Sequence, residues 1–342
     1  MRRAIVTSVA LSLVMLTAAG CSPGKSAEAT SSQAAGGNSQ AAAKAEHVVK
    51  VGITQIVDHP ALNSIRKGII DELADEGFKD KSTMQLDYQN AQGDMSNVTT
   101  IAQQMAQNKE DVIIPITTPS AQAVANQAKG IPVVFAAVTD PVAAKLVPAL
   151  DRPSEYVTGT SDVSPMDKQV ELITEFVPSI KKLGVIYNTG EVNSAVQVGM
   201  VEKAAKAKGI AVERIGITNS NEVKQGAESA VGKVDAFLVP VDNTVVSSFE
   251  ALLSTAKASK KPVFASDSDT VKRGAVATYG IDYYKMGRQT GVMAAKILKG
   301  AKPGSLPVET TKEVQLVINK KTVQSFGLQI PEKLKASATI VE

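Results

Sequence analysis

The sequence predicts an α/β protein with two lobes, each built on a parallel sheet, joined by several strands that form a hinge. Short apolar runs alternate with amphipathic stretches, which is the pattern of repeated βαβ units. The region from Val48 to Glu342 is long enough for two domains of roughly 100 to 200 residues each. The run that begins at Asp111 is similar to the run that begins at Asp235, so the plan occurs twice in the chain.

Residues 1–20 have the features of a signal peptide. Arg2 and Arg3 precede an apolar run, Ala4 to Ala19, that is shorter than the ~20 residues needed to span a bilayer. The segment from Leu16 to Cys21 resembles a bacterial lipobox, and Cys21 is the only cysteine of the chain. We expect cleavage before Cys21 and lipidation of its thiol. The alternative is ordinary secretory cleavage that leaves an unpaired thiol.

Residues 21–46 follow as a predicted flexible linker between the lipid anchor and the body. From Ser22 onward this stretch contains no branched aliphatic or aromatic residue, so it cannot bury enough surface to offset its ordering entropy. The formal net charge is +3, and it falls to +1 once Arg2 and Arg3 are removed with the signal peptide. Because this leaves no basic excess to neutralise phosphates, we expect no nucleic acid partner.

The body is predicted to contain eight strands, each a β-branched apolar run bounded by polar turns. The predicted strands are Val48–Gln55, Met84–Asn90, Asp111–Thr117 and Pro132–Val138 in the first half, and Leu183–Tyr187, Ala211–Ile217, Asp235–Val241 and Pro262–Ala265 in the second. Apolar residues at helical spacing predict helices between them. The predicted helices are Ala61–Glu76, Asn193–Lys208, Asn221–Val231 and Val245–Ser259.

Three segments are expected to cross between the lobes. They are Tyr156–Asp162, Val276–Ile281 and Glu309–Leu316. These crossings make both lobes discontinuous in sequence. The predicted first lobe comprises residues 47–158 and 278–308, and the second comprises residues 159–277 and 309–342.

Polar residues after the strands of the first lobe predict a site for an anion. Ligands of open parallel sheets bind beyond the carboxyl ends of the strands. Prolines at Asp58-His59-Pro60, Thr117-Thr118-Pro119 and Thr139-Asp140-Pro141 predict three helix starts there. Free amides and the positive end of the helix dipole suit a carboxylate, which we place near Thr118 and Ser120. The alternative is that Thr118 and Asp140 only cap their own helices.

Polar residues of the second lobe favour a positive group instead. Asn188, Asn193 and Ser194 follow its first strand, Asp242 and Asn243 its third, and Asp267 its fourth. Carboxylates and amides that converge across a cleft could hold a buried ammonium through paired, charge-assisted hydrogen bonds. A carboxylate on one wall and an ammonium on the other describe an amino acid, although Asp and Asn also bind sugars.

The residues give no pattern for catalysis, for a metal or for a nucleotide cofactor. The chain has two histidines, His47 and His59, and no Gly-x-Ser-x-Gly motif accompanies them. Neither a second thiol nor a histidine pair at helical spacing is present for zinc, and no glycine-rich phosphate loop follows the first strand. We therefore expect a binding protein without a cofactor, rather than an enzyme. His59 is either a surface or capping residue or, beside Gln55 at the sheet edge, a ligand contact.

The body resembles the extracytoplasmic solute-binding lipoproteins of ABC importers, of the group linked to tryptophan or tyrosine. The resemblance is carried by the segments Gly52–Leu62, Thr117–Gln122, Val138–Pro141, Gly184–Asn188 with Glu191–Ser194, Tyr279–Tyr283 with Met286–Arg288, and Leu316–Lys320. It implies the periplasmic-binding-protein type I fold, with two Rossmann-like lobes that close on a small solute. It also implies which side chains point into the cleft: Gln55, His59, Thr118, Thr139, Asn188, Asn193, Ser194, Asp242, Asn243 and Asp267.

The same resemblance implies the partners and the location. We expect a monomer outside the cytoplasm, anchored to the bacterial membrane by lipid, that captures an aromatic amino acid and delivers it to a permease driven by an ATPase. Four aromatic residues near strand ends could contact such a ligand: Phe135, Tyr187, Tyr279 and Tyr283. Two alternatives stay open, namely a binding protein for a sugar or nucleoside and a ligand sensor that docks on a membrane receptor.

Overall fold

The computed structural model describes residues 48–311 and 313–342. The predicted signal peptide, the predicted lipidation of Cys21 and the predicted linker lie outside the described residues. The first elements in chain order are β1 Val49–Gln55, α1 Pro60–Asp75, β2 Met84–Asn90, α2 Met95–Asn108, β3 Val112–Ile116, α3 Thr118–Gln127, β4 Val133–Phe135, β5 Val157–Ser161, α4 Met166–Phe176, β6 Lys182–Asn188, α5 Val192–Ala207 and β7 Ala211–Ile217. The remaining elements are α6 Glu222–Ala230, β8 Ala236–Val239, α7 Asn243–Ser247, α8 Phe249–Ala258, β9 Val263–Ala265, α9 Ser268–Arg273, β10 Ala277–Gly280, α10 Tyr283–Leu298, a 3₁₀ turn at Pro303–Ser305, β11 Glu309–Thr310, β12 Gln315–Asn319, α11 Lys320–Ser325, α12 Glu332–Lys335 and β13 Thr339–Val341.

Lobe 1, residues 48–161 and 281–310, contains a parallel six-stranded sheet in the order β11-β5-β4-β3-β1-β2. Strands β3 and β4 are buried along their whole length, as expected for a sheet covered on both faces. Helix α1 packs along α10, which returns to this lobe from the far part of the chain. Gly287 permits the close contact of these helices, because a Cβ there would lie 2.2 Å from the Ile65 carbonyl oxygen.

Lobe 2, residues 163–280 and 313–342, repeats the plan with a smaller sheet. Strands pair in parallel in the order β7-β6-β8-β9, with α5 packed against β6 and β7. A second sheet, in the order β10-β12-β13, belongs to this lobe and pairs β10 with β12 in the antiparallel direction. The described part of the chain therefore has the predicted fold class, an α/β protein with two lobes and parallel sheets.

The chain crosses between the lobes at three places, and each lies slightly later than the predicted boundary. Strand β5 stays in the sheet of lobe 1 up to Ser161, and β10 stays in lobe 2 up to Gly280. Strand β11 pairs with β5, so residues 309–310 belong to lobe 1. The first crossing is at Asp162, directly after β5.

Two predicted helices differ in the structure. The predicted helix Val245–Ser259 is divided into α7 and α8 at Ser248. Arg273 donates a hydrogen bond of 2.8 Å to the Val246 carbonyl, which competes with the helical bond at this turn. The helix start predicted at Asp140-Pro141 is instead followed by turns. The Asp140 carboxylate accepts hydrogen bonds from the amides of Val142 and Ala143. Lys145 has a φ of 60°, which is not helical.

Candidate functional site

A small cavity of about 20 Å³ lies between the lobes at the carboxyl ends of their strands. This volume is far below the roughly 300 to 1,000 Å³ that small-molecule pockets span, so the lobes must move apart before a solute can enter between them. The first crossing contributes Asp162 to the wall. Lobe 1 contributes His59, Ala61, Leu62, Thr117 and Tyr283, and lobe 2 contributes Val241, Asp242, Asn243, Val246 and Asp267.

The start of α3 carries three buried hydroxyls that have no hydrogen-bond partner among the described residues. They belong to Thr117, Thr118 and Ser120. Thr117 occupies the N-cap with a φ of 78°, and its side chain does not cap the helix. Thr118 is the first helical residue, and its hydroxyl has no partner, so Thr118 does not cap the helix. Unused hydroxyls beside free helix amides form a place where an anion such as a carboxylate is stabilised.

His59 lies at the N-cap of α1, and Pro60 follows as the first helical residue. The ring is 9% exposed, and its Nδ1 has no partner among the described residues. Burial, with a further contribution from the positive charge of Arg273, lowers the pKa of His59 from 6.5 to about 3. His59 is therefore neutral at physiological pH, and one wall of the cavity carries an uncharged imidazole.

Three buried carboxylates line the cavity, namely Asp162, Asp242 and Asp267. Burial raises the pKa of Asp162 and of Asp267. Burial and the nearby Glu191 carboxylate raise the pKa of Asp242. Within the described residues, no set of three His, Cys, Asp or Glu side chains is arranged to hold a metal ion. The charge of this wall is suited to an organic cation.

Asp242 and Asp267 each cap a helix of lobe 2. The Asp242 carboxylate accepts from the Val245 amide at 2.8 Å, from the Ser194 hydroxyl at 2.6 Å and from the Asn188 amide at 2.6 Å. The Asp267 carboxylate accepts from the amide and the hydroxyl of Thr270 at 2.7 and 2.5 Å. Both carboxylates are therefore already partly stabilised by fixed donors.

A network around Glu191 holds Asn243, which lines the cavity, and Asn193, whose side-chain amide also donates to the carbonyl of the lining residue Val241 at 2.9 Å. The side-chain amides of Asn193 and Asn243 donate to Glu191 at 3.0 and 2.6 Å. Thr244 donates to the same carboxylate from its amide and its hydroxyl. The Asn193 carbonyl oxygen is buried and has no partner among the described residues, so it is available to a donor.

Seven predicted residues do not line the cavity, namely Gln55, Thr118, Ser120, Thr139, Asn188, Asn193 and Ser194. Gln55 donates to the Val57 carbonyl at 2.7 Å and to Asn63 at 2.9 Å, and it accepts from Arg66, so its amide is engaged within lobe 1. Asn188 lines a neighbouring open groove instead. The Thr139 hydroxyl donates to Asp162 at 2.8 Å and thus acts through that carboxylate.

Sequence reasoning missed Asp162, which lines the cavity, and Gln197, which contacts Thr139 and the lining residue Val241. The sequence predicts Asp162 as the end of a crossing, and its one signal of a further role is that an acidic residue directly follows a β-branched run. Gln197 is fully buried on α5, one turn after Asn193, and its spacing on that helix face gave the only indication. Tyr283 lines the cavity as an aromatic residue near a strand end, whereas Phe135 is buried in the core.

A ligand cavity between two parallel-sheet lobes, with polar loops of both lobes on its wall, defines a solute-binding protein. The profile of the family "ABC transporter substrate binding protein" matches residues 50–342. The chain therefore belongs to this family and has the periplasmic-binding-protein type I fold. Members of the family bind a substrate and are not enzymes, and their partners are ABC transporters. In the described part of the chain, no helix is both long and apolar enough to cross a membrane.

Three similar proteins are informative. The tyrosine-binding protein of Clostridioides difficile strain R20291 is 44% identical over 82% of this chain and 81% of its own length. The ABC domain from Streptococcus pneumoniae in complex with L-Trp is 40% identical, with a TM-score of 0.84 over 86% of this chain and 99% of that one. A ligand-free, open substrate-binding protein with adhesive properties from Clostridium difficile is 44% identical, yet its TM-score is 0.65 over 86% and 99% of the two chains.

Proposed function

We propose that this protein captures a free aromatic amino acid, such as tyrosine, tryptophan or phenylalanine, by closure of its two lobes and delivers it to the permease of an ABC importer. The observation that carries the proposal is the arrangement of opposite charges around one cavity. The start of α3 reaches the cavity through Thr117, and the unpaired hydroxyls of Thr118 and Ser120 beside it suit a carboxylate. The lining carboxylates Asp162, Asp242 and Asp267 suit an ammonium. A zwitterion brings a full charge to each of the two walls, whereas a neutral sugar can offer them only hydroxyl groups.

The aromatic side chain is supported by the similar proteins and by the apolar part of the wall. Leu62, Val246 and Tyr283 line the cavity together with the charged groups. Relatives at 40% and 44% identity are described as bound to L-Trp and as tyrosine-binding. Closure is supported by the comparison of TM-scores, because this chain superposes better on the L-Trp complex than on the open structure.

Thr118→Val tests the carboxylate site. Since the Thr118 hydroxyl has no partner among the described residues, its removal should leave the stability unchanged or slightly raised. We expect the affinity for L-tyrosine to fall about 10- to 100-fold, as for loss of a hydrogen bond to a charged group. Isothermal titration calorimetry and thermal melting measure the two effects.

Thr160→Val is the matched control for this experiment. The Thr160 hydroxyl is buried and forms a hydrogen bond of 2.8 Å with the Thr290 hydroxyl, and neither residue lines the cavity. This variant should lose stability and keep its affinity. Equal affinities of the Thr118 variant and the natural protein would contradict the proposed carboxylate site.

We also propose that the mature protein is held outside the cytoplasm by lipid on Cys21. Two acyl signals anchor a protein stably, whereas one chain binds only marginally. Cys21→Ser should move the protein from the membrane fraction to the soluble fraction in cell fractionation, with unchanged ligand affinity. Continued membrane association of this variant would argue for another anchor.

A further inference from the structure

We propose that Asp162 binds the ligand's ammonium group and couples that contact to closure of the lobes. This inference rests on the proposed function and deepens it, because it assigns the cationic end of the ligand to one residue. Asp162 lies at the first crossing between the lobes and lines the cavity with an exposure of 1%.

The hydrogen bonds of Asp162 leave it capacity for a further donor. Its two oxygens accept from the Thr139 hydroxyl at 2.8 Å and from the Tyr283 hydroxyl at 3.2 Å. An ionised carboxylate has about four acceptor positions, so about two remain for an ammonium. Since an unpaired buried charge is costly, the closed cavity favours a ligand that brings a positive group to this carboxylate.

The other charged groups around the cavity have more fixed partners than Asp162 has. Asp242 and Asp267 accept from helix amides of lobe 2, while both side-chain donors of Asp162 are hydroxyls. Arg273, the cation that influences His59, is paired with Glu250 at 2.7 Å, and His59 is neutral. Asp162 is therefore the carboxylate of this wall that most needs a cation from the ligand.

A chain of hydrogen bonds links Asp162 to the opposite lobe. The Thr139 hydroxyl of lobe 1 donates to Asp162 and accepts from the Gln197 side chain of lobe 2 at 3.4 Å. Gln197 is held in place because its carbonyl oxygen accepts from the Val241 amide at 3.0 Å. An ammonium beside Asp162 keeps the carboxylate ionised, which keeps the Thr139 hydroxyl directed at it and its oxygen free to accept from Gln197.

Asp162→Asn tests the charge without changing the shape of the side chain. The ligands are L-tyrosine and its deaminated analogue, 3-(4-hydroxyphenyl)propionate, measured by calorimetry. The natural protein should prefer L-tyrosine by at least about 100-fold, as expected for a buried ion pair. In Asp162→Asn that preference should collapse, with the affinity for the analogue changed by less than about 3-fold.

Asp140→Asn is the control, because Asp140 is a nearby carboxylate that only caps a turn. If the natural protein binds no aromatic amino acid, the proposed function fails. If it binds L-tyrosine and Asp162→Asn keeps both affinity and preference, the inference alone fails. Should Asp162→Asn not fold, equal binding of L-tyrosine and the analogue by the natural protein would overturn the inference.

Gln197→Met tests the coupling separately. This variant keeps Asp162, so it should still prefer L-tyrosine to the analogue. Because it lacks the bond to Thr139, it should release L-tyrosine about 10-fold faster in stopped-flow measurements, in line with a lost hydrogen bond of roughly 1 kcal/mol. An unchanged release rate would remove the coupling role.

Discussion

His59 is held in the neutral form inside the folded protein, and this has a cost at low pH. Its pKa in the folded state is about 3, against 6.5 for an unperturbed histidine. Between these two values the unfolded chain binds a proton at His59 that the folded chain does not. Above about pH 6.5 His59 therefore does not lower the free energy of unfolding. Below that pH, the free energy of unfolding falls by up to about 1.4 kcal/mol per pH unit because of His59.

His59→Gln should remove this pH dependence, since glutamine stays neutral. The raised pKa values of Asp162, Asp242 and Asp267 act in the opposite direction, so the difference between variant and natural protein is the informative quantity. Between pH 6.5 and pH 5 the natural protein should lose about 1.5 kcal/mol more than the variant. Urea denaturation at both pH values measures this difference, and parallel curves would contradict it.

The individual residues of the site show what a sequence can and cannot predict. Residues after strand ends could be placed at the sheet edge, and His59, Asp242, Asn243 and Asp267 line the cavity. The sequence could not show that the side-chain amide of Gln55 is hydrogen-bonded to Val57, Asn63 and Arg66, because these contacts depend on the directions of the side chains. Asp162 was missed for the same reason, since its role follows from where the crossing lies between the lobes.

Among the elements, the strands were predictable because buried parallel strands are nearly continuous apolar runs. Strand β2 has the predicted bounds, and β1 begins one residue later than predicted. The division of α7 from α8 was not predictable, since it involves Arg273, which is distant in sequence. Element type thus followed from local pattern, while a helix end set by a tertiary hydrogen bond did not.

The contact of α1 with α10 depends on glycine, which gives a prediction at this scale. Alanine normally stabilises a helix interior relative to glycine by about 1 kcal/mol. Gly287→Ala should instead destabilise the protein by about 1 to 3 kcal/mol, because its Cβ would lie 2.2 Å from the Ile65 carbonyl oxygen. Thermal or urea denaturation gives the measurement.

Gly199→Ala in α5 is the matched control for that substitution. A Cβ at Gly199 meets nothing within 4 Å, so alanine should raise the stability by about 0.5 to 1 kcal/mol. We expect the two variants to change the stability in opposite directions. Stabilisation by both would show that α1 and α10 can move apart at no cost.

For the whole molecule, the proposed closure requires the lobes to turn about three short crossings while each lobe keeps its own core. Separate apolar clusters lie in lobe 1 and lobe 2, so rotation does not require either to be repacked. The contact between Gln197 and Thr139 joins the lobes in the arrangement described here. The lower TM-score against the open relative, despite 44% identity, is consistent with a difference in lobe arrangement.

Distances between labels can test this motion directly. Cys21 is the only cysteine, so Cys21→Ser gives a background for labelling at Met95→Cys and Ser220→Cys, which lie on the two sides of an open groove between the lobes. Met95 is 55% exposed, which makes it accessible to a spin label.

Adding L-tyrosine should shorten the mean distance between the labels in electron paramagnetic resonance. A pair within lobe 1, Met95→Cys with Lys129→Cys, should not respond. An equilibrium between two arrangements shifts only when the ligand binds them with different affinity. If calorimetry showed binding but the first pair gave the same distance distribution with and without L-tyrosine, the ligand would therefore be held without closure.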